Sequence, residues 1–280
     1  MKTILITGAT SGIGYEASLI LAKEGHRVVM VGRDRAKTER CVTEVQAKSG
    51  NQRVSFLLGD VASQKSVRQL AADYRAQFDR LDVLVNNAGT VFNERSVTVD
   101  GIESTFATNH LGYFLVTTLL LDLLVKSAPA RIVVVSSSGH YRGTMDLGDL
   151  GFEKGGYGFM SAYTRSKLAN VLMTRALVKR LEGKGVTVNA LHPGAVATSI
   201  WQRAPGWAQP LLSVVKPLFM ISPEEGARTI TYLATSPEVE GKTGLYFEKN
   251  KQRTPAKLAR DEALAEQLWA RSEELVRPSA

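Results

Sequence analysis

The sequence predicts an α/β fold built on a doubly wound parallel sheet with helices on both faces. Three observations carry that expectation. Short runs rich in Val, Ile and Leu alternate with longer helical segments along the chain, the pattern of buried parallel strands joined by right-handed crossovers. The first run breaks into a glycine-rich turn and then a helix, the context in which backbone amides receive a phosphate group. Small and polar clusters around Gly8, Asn87, Ser137 and Pro193 each follow a strand, so they gather at the carboxyl edge of the sheet, where such folds bind ligands.

Taken in order, Thr3 to Thr7 is the first strand. It ends in Gly8-Ala9-Thr10-Ser11-Gly12-Ile13-Gly14, and Tyr15 to Lys23 reads as a helix closed by Gly25. Glycines in that turn allow close approach of a pyrophosphate and close helix packing, which makes Gly8, Thr10, Ser11, Gly12, Ile13 and Gly14 a dinucleotide cradle. Their spacing is Gly-x-x-x-Gly-x-Gly, not the commoner Gly-x-Gly-x-x-Gly. The second strand, Arg27 to Gly32, ends without a carboxylate and is followed by Arg33, with Lys37 one helical turn further on. An acid there would bond the adenosine ribose, whereas an arginine accommodates a 2′-phosphate; NADP(H) is the expected cofactor. Asp34 has a local use as the cap of the next helix.

Val54 to Leu58 is the third strand, running into Gly59-Asp60-Val61, and Val67 to Phe78 the amphipathic helix after it. Leu81 to Val85 is the fourth, ending in Asn86-Asn87-Ala88-Gly89. Helical residues lead to Asn109-His110-Leu111-Gly112, and Phe114 to Lys126 is a long apolar helix. Arg131 to Val135 is the fifth strand, followed by Ser136-Ser137-Ser138-Gly139. Val186 to Leu191 is the sixth, ending in His192-Pro193-Gly194. The last part reads as a helix, a short strand at Thr243 to Phe247, and a terminal helix from Lys257 to Val276.

Between the fifth and sixth strands lies Ser161-Ala162-Tyr163-Thr164-Arg165-Ser166-Lys167. On a helix, Tyr163 and Lys167 share one face. A free phenol, with a pKa of about 10, is a poor proton-transfer group near neutrality, and a neighbouring cation favours its ionised form. The pair therefore offers an acid-base catalyst at working pH.

Together these pieces resemble the short-chain dehydrogenase/reductase family: Thr7 to Gly14, Asn86 to Gly89, Asn109, Ser137, Tyr163 with Lys167, and Pro193-Gly194 stand in the family's order over residues 3 to about 200. Thr108 to Phe114 and Ser166 to Asn170 look most like its retinol dehydrogenase branch, alongside WW-domain oxidoreductases and protochlorophyllide reductases. That branch usually carries an N-terminal anchor, whereas the first strand here begins at residue 3, and Val188-Asn189-Ala190 is ordinary for the wider family.

The resemblance implies a Rossmann-type sheet of about seven strands in the order 3-2-1-4-5-6-7, in one domain spanning residues 1–280. It implies that Tyr163 is the general acid of carbonyl reduction or the base of alcohol oxidation. Lys167 would lower the pKa of Tyr163 and bond the nicotinamide ribose. Ser137 would hold the substrate oxygen, with Ser138 its replacement if the alignment slips by one. Asn109 would support a water linking Lys167 to solvent. Asp60, Val61, Asn87, Ala88, Gly89, Pro193, Gly194, Val196 and Thr198 would complete the cofactor site. Tyr141 and Tyr157 lack a Lys four residues on and read as loop or pocket residues.

At 280 residues and 44% apolar the chain can bury a full core. Leu115 to Val125 is interrupted by Asp122 and belongs to a core helix, so no stretch is expected to span a membrane. One cysteine, Cys41, and no leader ahead of the first strand point to a cytoplasmic enzyme, and no ligand-spaced cluster suggests a metal. The net charge of +8 reads as a solvated basic face favourable to an anionic cofactor, with at most peripheral membrane contact and no nucleic-acid partner. Residues 198–222, with Trp201, Trp207, Phe219 and Met220, suggest a lid over a lipophilic substrate, or equally a packing surface. The glycine-rich Gly139 to Met160 is longer than the link expected there.

The expected activity is hydride transfer between the nicotinamide and a lipophilic carbonyl or alcohol, retinoid-, steroid- or aldehyde/ketone-like. Two alternatives are a non-catalytic NADP-binding redox sensor and a sugar-nucleotide epimerase or dehydratase. The sensor would not need the Asn109, Ser137, Tyr163 and Lys167 set, and the epimerase would need a larger C-terminal domain. The apolar helices Leu115 to Val125 and Ala162 to Leu181 suggest, with the family's habit, a homodimer.

Overall fold

The computed structural model describes residues 1–196 and 221–278 of the chain. Thr198 and nearly all of the expected lid lie outside the described residues.

Eight strands form one sheet: β1 (Thr3–Thr7), β2 (Arg27–Gly32), β3 (Val54–Leu58), β4 (Val83–Asn86), β5 (Ala130–Val135), β6 (Val186–His192), β7 (Tyr246–Glu248) and β8 (Lys251–Arg253). Their order is β3-β2-β1-β4-β5-β6-β7-β8, and every pairing is parallel except β7 with β8. The expected sevenfold order holds. The eighth strand is an antiparallel edge addition, reached through Lys249 and Asn250, both at positive φ, as mirror-image hairpin turns require. Its three residues are exposed and include Lys251 and Arg253, a charged edge of the kind that discourages further pairing.

Strand residues alternate between two cores. Ile4, Ile6, Val28, Met30, Val83, Val85, Val133 and Val135 face α1 (Gly12–Lys23), α2 (Arg35–Ser49) and α6 (Pro223–Thr235). Leu5, Val29, Val31, Leu84, Ile132 and Val134 face α3 (Gln64–Gln77), α4 (Ser104–Lys126), α5 (Phe159–Leu181) and α7 (Glu262–Leu275). The terminal helix expected from Lys257 is divided: Leu258–Arg260 is a 3-10 turn, and α7 starts afresh where Asp261 accepts from the Leu264 amide at 3.0 Å.

α4 begins ten residues earlier than Phe114 because Glu103 caps it, its carboxylate accepting from the Thr105 and Phe106 amides, each at 2.7 Å. The helix contains a π-turn, Ala107–Leu111, ending at Gly112. A Cβ on Gly112 would meet the Val61 carbonyl oxygen at 2.5 Å, so the chain passes β3's loop only with glycine there. The continuous helix corrects one expectation, since its 23 residues are long and apolar enough to cross a membrane. Most of it is buried inside the molecule, where it serves as the core helix expected of Leu115 to Val125.

α7 lies across α4 and α5. Trp269 meets Phe114 edge-on with centroids 4.7 Å apart, and Arg180 stacks over the same indole at 4.1 Å. Arg180 also pairs with Glu266 through two bonds of 2.9 and 2.8 Å, while α3 reaches α4 through Arg75 and Asp122. α7 thus covers part of the apolar surface of α4 and α5, while Leu119, Leu121 and Val125 of α4 and Val178 of α5 remain only partly buried.

Candidate active site

At the carboxyl edge of the sheet, β1 turns into α1 through Gly8 at φ +64° and Gly12 at φ +56°, values that favour glycine. A Cβ on Gly8 would meet the Ala88 Cα at 2.7 Å, and one on Gly14 would meet the Asn87 amide nitrogen and the Gly8 carbonyl oxygen. Asn87 stitches β4's loop to this turn, its Nδ2 donating to the Thr7 carbonyl at 2.8 Å and the Gly8 carbonyl at 3.1 Å. Its Oδ1 is buried with no hydrogen-bond partner among the described residues. No side chain caps α1, whereas Asp34, Ser63, Glu103, Ser222 and Asp261 cap five other helices. An uncapped helix start behind a turn too tight for side chains leaves backbone amides able to receive a phosphate. The residues fit a dinucleotide.

At the adenosine end, Asp34 is committed as the cap expected of it, accepting from the Lys37 amide at 2.8 Å. Arg33 and Lys37 are exposed. A Cβ on Gly32 would run into Thr38 and Thr10, so β2 approaches the glycine turn closely and brings Arg33 beside it. Asp60 is engaged locally, its Oδ1 accepting from Ala62 at 3.0 Å; Val61 is buried. After β6, Pro193 leads into Gly194 at φ +100°, where a Cβ would meet Ile221 at 2.5 Å. Val196 bridges to Ile221, and both Val196 and Ile13 crowd Gly226 of α6.

The Tyr163 helix meets this edge from the other side. Lys167 is 4% exposed, and its Nζ donates to the Val135 carbonyl at 3.2 Å. A Cβ on Gly89 would approach that ammonium at 3.4 Å. The nitrogen stands 5.7 Å from the Tyr163 ring centroid. Burial pulls the Lys167 pKa down to about 7. Burial also raises the Tyr163 phenol above its ordinary value, partly offset by a hydrogen bond with the Ser137 side chain. Burial thus acts on both groups, raising the phenol and lowering the lysine, against the lowered phenol pKa expected from Lys167.

The three serines after β5 have separate environments. The Ser136 hydroxyl donates to the Lys167 carbonyl at 2.7 Å, Ser138 is exposed, and Ser137 is buried. The Ser137 Oγ accepts from the Gly139 amide at 3.0 Å, leaving its own hydrogen for the phenol or a substrate oxygen. Asn109 is fully engaged: its Oδ1 accepts from the Thr90 amide at 2.8 Å, and its Nδ2 donates to the Thr90 carbonyl at 2.9 Å and the Ser166 hydroxyl at 3.0 Å.

Sequence reasoning missed His140. Its Nε2 accepts from the Ala256 amide at 3.1 Å, so its Nδ1 carries the proton and donates to the Ser137 carbonyl at 2.7 Å. Tyr141 donates to the Thr254 carbonyl at 2.7 Å, so the turn bearing Ser137 is tied to the segment after β8. Tyr157 donates to the Phe92 carbonyl at 2.8 Å, and Arg165 to the Asp149 carbonyl at 2.6 Å. These bonds fix the long Gly139 to Met160 connection against the β4 loop. Among the described residues no metal-ligating cluster occurs.

The short chain dehydrogenase family model matches residues 2–209. The chain belongs to the short-chain dehydrogenase family. Within it, the chain is 42% identical over 279 residues to retinol dehydrogenase 13 of Homo sapiens, covering 98% of this chain and 84% of that protein. It is 44% identical over 289 residues to retinol dehydrogenase 14 of Mus musculus, with coverage of 98% and 86%. The WW domain-containing oxidoreductase of Homo sapiens is 39% identical over 282 residues, with coverage of 98% and 68%. Among solved structures, a protein from Mycobacterium paratuberculosis superposes with a TM-score of 0.80 at 32% identity, covering 99% of this chain and 93% of that one. The Pseudomonas aeruginosa RhlG/NADP active-site complex superposes with a TM-score of 0.70 at 28% identity, covering 88% and 93%. The resemblance to the retinol dehydrogenase branch stands, and the protein is an oxidoreductase that binds a nicotinamide dinucleotide.

Proposed function

We propose that this short-chain dehydrogenase is an NADP(H)-dependent enzyme that interconverts a lipophilic carbonyl compound and its alcohol, with Tyr163 as the general acid or base. The observation that carries the reading is the convergence of Tyr163, the Ser137 hydroxyl and the buried Lys167 ammonium beside Gly89. NADP is favoured by the exposed Arg33, by the diversion of Asp34 into a helix cap, and by a structural neighbour solved as an NADP complex. A retinoid-like substrate is favoured by the names of the relatives.

The bound cofactor would supply or accept the hydride. The chain does the rest by placement. Gly8 and Gly14 would admit the pyrophosphate against the start of α1, and Arg33 with Lys37 would hold the 2′-phosphate. Asn87, Ala88, Gly89, Pro193, Gly194 and Val196 would hold the nicotinamide half. Ser137 turns its hydroxyl hydrogen toward the substrate oxygen. Tyr163, protonated near neutrality because burial raises it, gives its phenolic proton to that oxygen in reduction and takes one in oxidation. Lys167 would hold the nicotinamide ribose, whose hydroxyls would favour its charged form.

We read the chain as one catalytic domain and, since Leu119, Leu121 and Val125 of α4 remain only partly buried, as the homodimer expected from its apolar helices. The cytoplasmic assignment rests on the single, buried Cys41. The test is turnover by the purified protein with NADPH or NADH on aldehydes, ketones and retinaldehyde, followed by loss of reduced-nicotinamide absorbance. NADPH-dependent reduction of an apolar carbonyl is expected. Tight NADPH binding without turnover of any carbonyl or alcohol would favour the redox-sensor alternative instead.

A further inference from the structure

We propose that Asn170 is a positioning residue for Lys167, held in place by His110 and, through it, by Ser272 of the C-terminal helix. The inference rests on the catalytic reading above and extends it to three residues outside the Asn109, Ser137, Tyr163 and Lys167 set.

Asn170 lies three residues beyond Lys167 on α5 and is fully buried. Its Nδ2 donates to the Asn109 carbonyl at 2.9 Å and to the Val135 carbonyl at 3.3 Å. The Val135 carbonyl is the same oxygen that receives the Lys167 ammonium at 3.2 Å. One amide thus joins the end of β5, the π-turn of α4 and the lysine's anchor. Turning that amide over would set its oxygen against two carbonyl oxygens, so the donor assignment is dictated by the surroundings.

The Asn170 Oδ1 must then accept. It faces His110 Nδ1 at 3.3 Å, which fixes the proton on that nitrogen. The other ring nitrogen, Nε2, is left as an acceptor 3.0 Å from the Ser272 hydroxyl, whose one hydrogen is shared between it and the Leu268 carbonyl at 2.8 Å. Phe106 and Phe114 flank the imidazole, with centroids at 4.9 and 6.4 Å, and burial keeps it neutral by lowering its pKa to about 4. Ser272 belongs to α7, which is pinned to α5 by Trp269 and Glu266. A run of hydrogen bonds therefore leads from the reactive lysine to the C-terminal helix. Removing Asn170 would leave the Asn109 carbonyl without its listener and free Lys167 to shift, while the pocket that receives substrate keeps its walls.

The experiment compares Asn170→Ala, His110→Asn, His110→Gln and Tyr163→Phe in the carbonyl-reduction assay, with thermal midpoints recorded for each. Asn170→Ala should lower kcat about 10- to 100-fold, the scale of loss from a displaced catalytic group, with little change in carbonyl KM. His110→Asn puts an amide nitrogen where Nδ1 stood and should retain most of kcat. His110→Gln places its amide near Nε2, loses the bond to Asn170, and should fall with Asn170→Ala. Should Asn170→Ala fail to fold, the two His110 variants decide the matter alone. Near-wild-type kcat for folded Asn170→Ala, or equal losses in both His110 variants, would overturn the proposal. An inactive Tyr163→Phe beside a fully active Asn170→Ala would refute this inference alone; an active Tyr163→Phe would refute the catalytic reading beneath it.

Discussion

Replacing Lys167 by Met should stabilise the cofactor-free protein while abolishing turnover. The ammonium is buried, and burial lowers its pKa from 10.5 to about 7. At neutral pH the unfolded lysine is fully protonated and the native one only half, which by linkage costs the native state about 4 kcal/mol. Methionine fills similar volume without a charge, and it forfeits the bond to the Val135 carbonyl, worth about 1 kcal/mol net. The remaining gain of about 3 kcal/mol corresponds to about 5 °C in the midpoint of a chain this size.

The sign can be checked through pH. Between the native and unfolded pKa values the unfolded state binds more protons, so wild-type stability rises with pH over roughly 7 to 10.5. Lys167→Met lacks that dependence, and its advantage should shrink by about 2 kcal/mol between pH 7 and 9. Thermal unfolding by circular dichroism at the two pH values, without cofactor, provides the assay. A variant less stable than wild type at neutral pH, or an advantage unchanged with pH, would refute the idea that the buried lysine is held at an energetic cost.

Three further outcomes follow from the geometry. NADPH should bind at least tenfold more tightly than NADH, since a charge-assisted phosphate contact contributes about 1.5–3 kcal/mol, and Arg33→Ala should remove most of that preference in fluorescence titrations. Gly14→Ala would push a methyl group into Asn87 and the Gly8 carbonyl; it should lower the thermal midpoint by an overpacking cost of about 1–3 kcal/mol and weaken NADPH binding in the same titration. Sedimentation at micromolar concentration should report a dimer, and a stable monomer would count against a subunit contact through α4 and α5.

Much of this architecture was legible in the residues because buried parallel strands carry their own signal. Arg27 to Gly32 and Val54 to Leu58 were bounded as observed, and Asp34 declared itself as a cap by its place after a strand and before a helix. The glycine turn and the Tyr163–Lys167 pair were legible for the same reason: their chemistry is local. What escaped the sequence depends on contacts between distant segments. The π-turn at Ala107–Leu111 lies where Gly112 packs under Val61, and nothing in Ala-Thr-Asn-His-Leu announces it. β8 has no apolar alternation because all three residues are exposed. α7 reads as an ordinary amphipathic helix, and only the packing of Trp269 on Phe114 and Arg180 reveals that it lies across α4 and α5. His140 and Asn170 look like polar residues beside a site until their partners, Ala256 and His110, are brought in from elsewhere in the chain.

The central claim is that Tyr163 is the proton donor, and turnover of Tyr163→Phe tests it most directly. The substitution removes one hydroxyl from a ring packed beside Ser137 and Lys167, so the fold and NADPH affinity should be retained. General acid–base catalysis contributes about 10²- to 10⁴-fold, and kcat for a carbonyl that the wild type reduces well should fall by at least that range. In the wild type the reduction rate should also decline as pH rises through the phenol's pKa in the complex, with alcohol oxidation rising over the same interval. A Tyr163→Phe enzyme that binds NADPH normally and keeps most of its kcat would contradict the assignment.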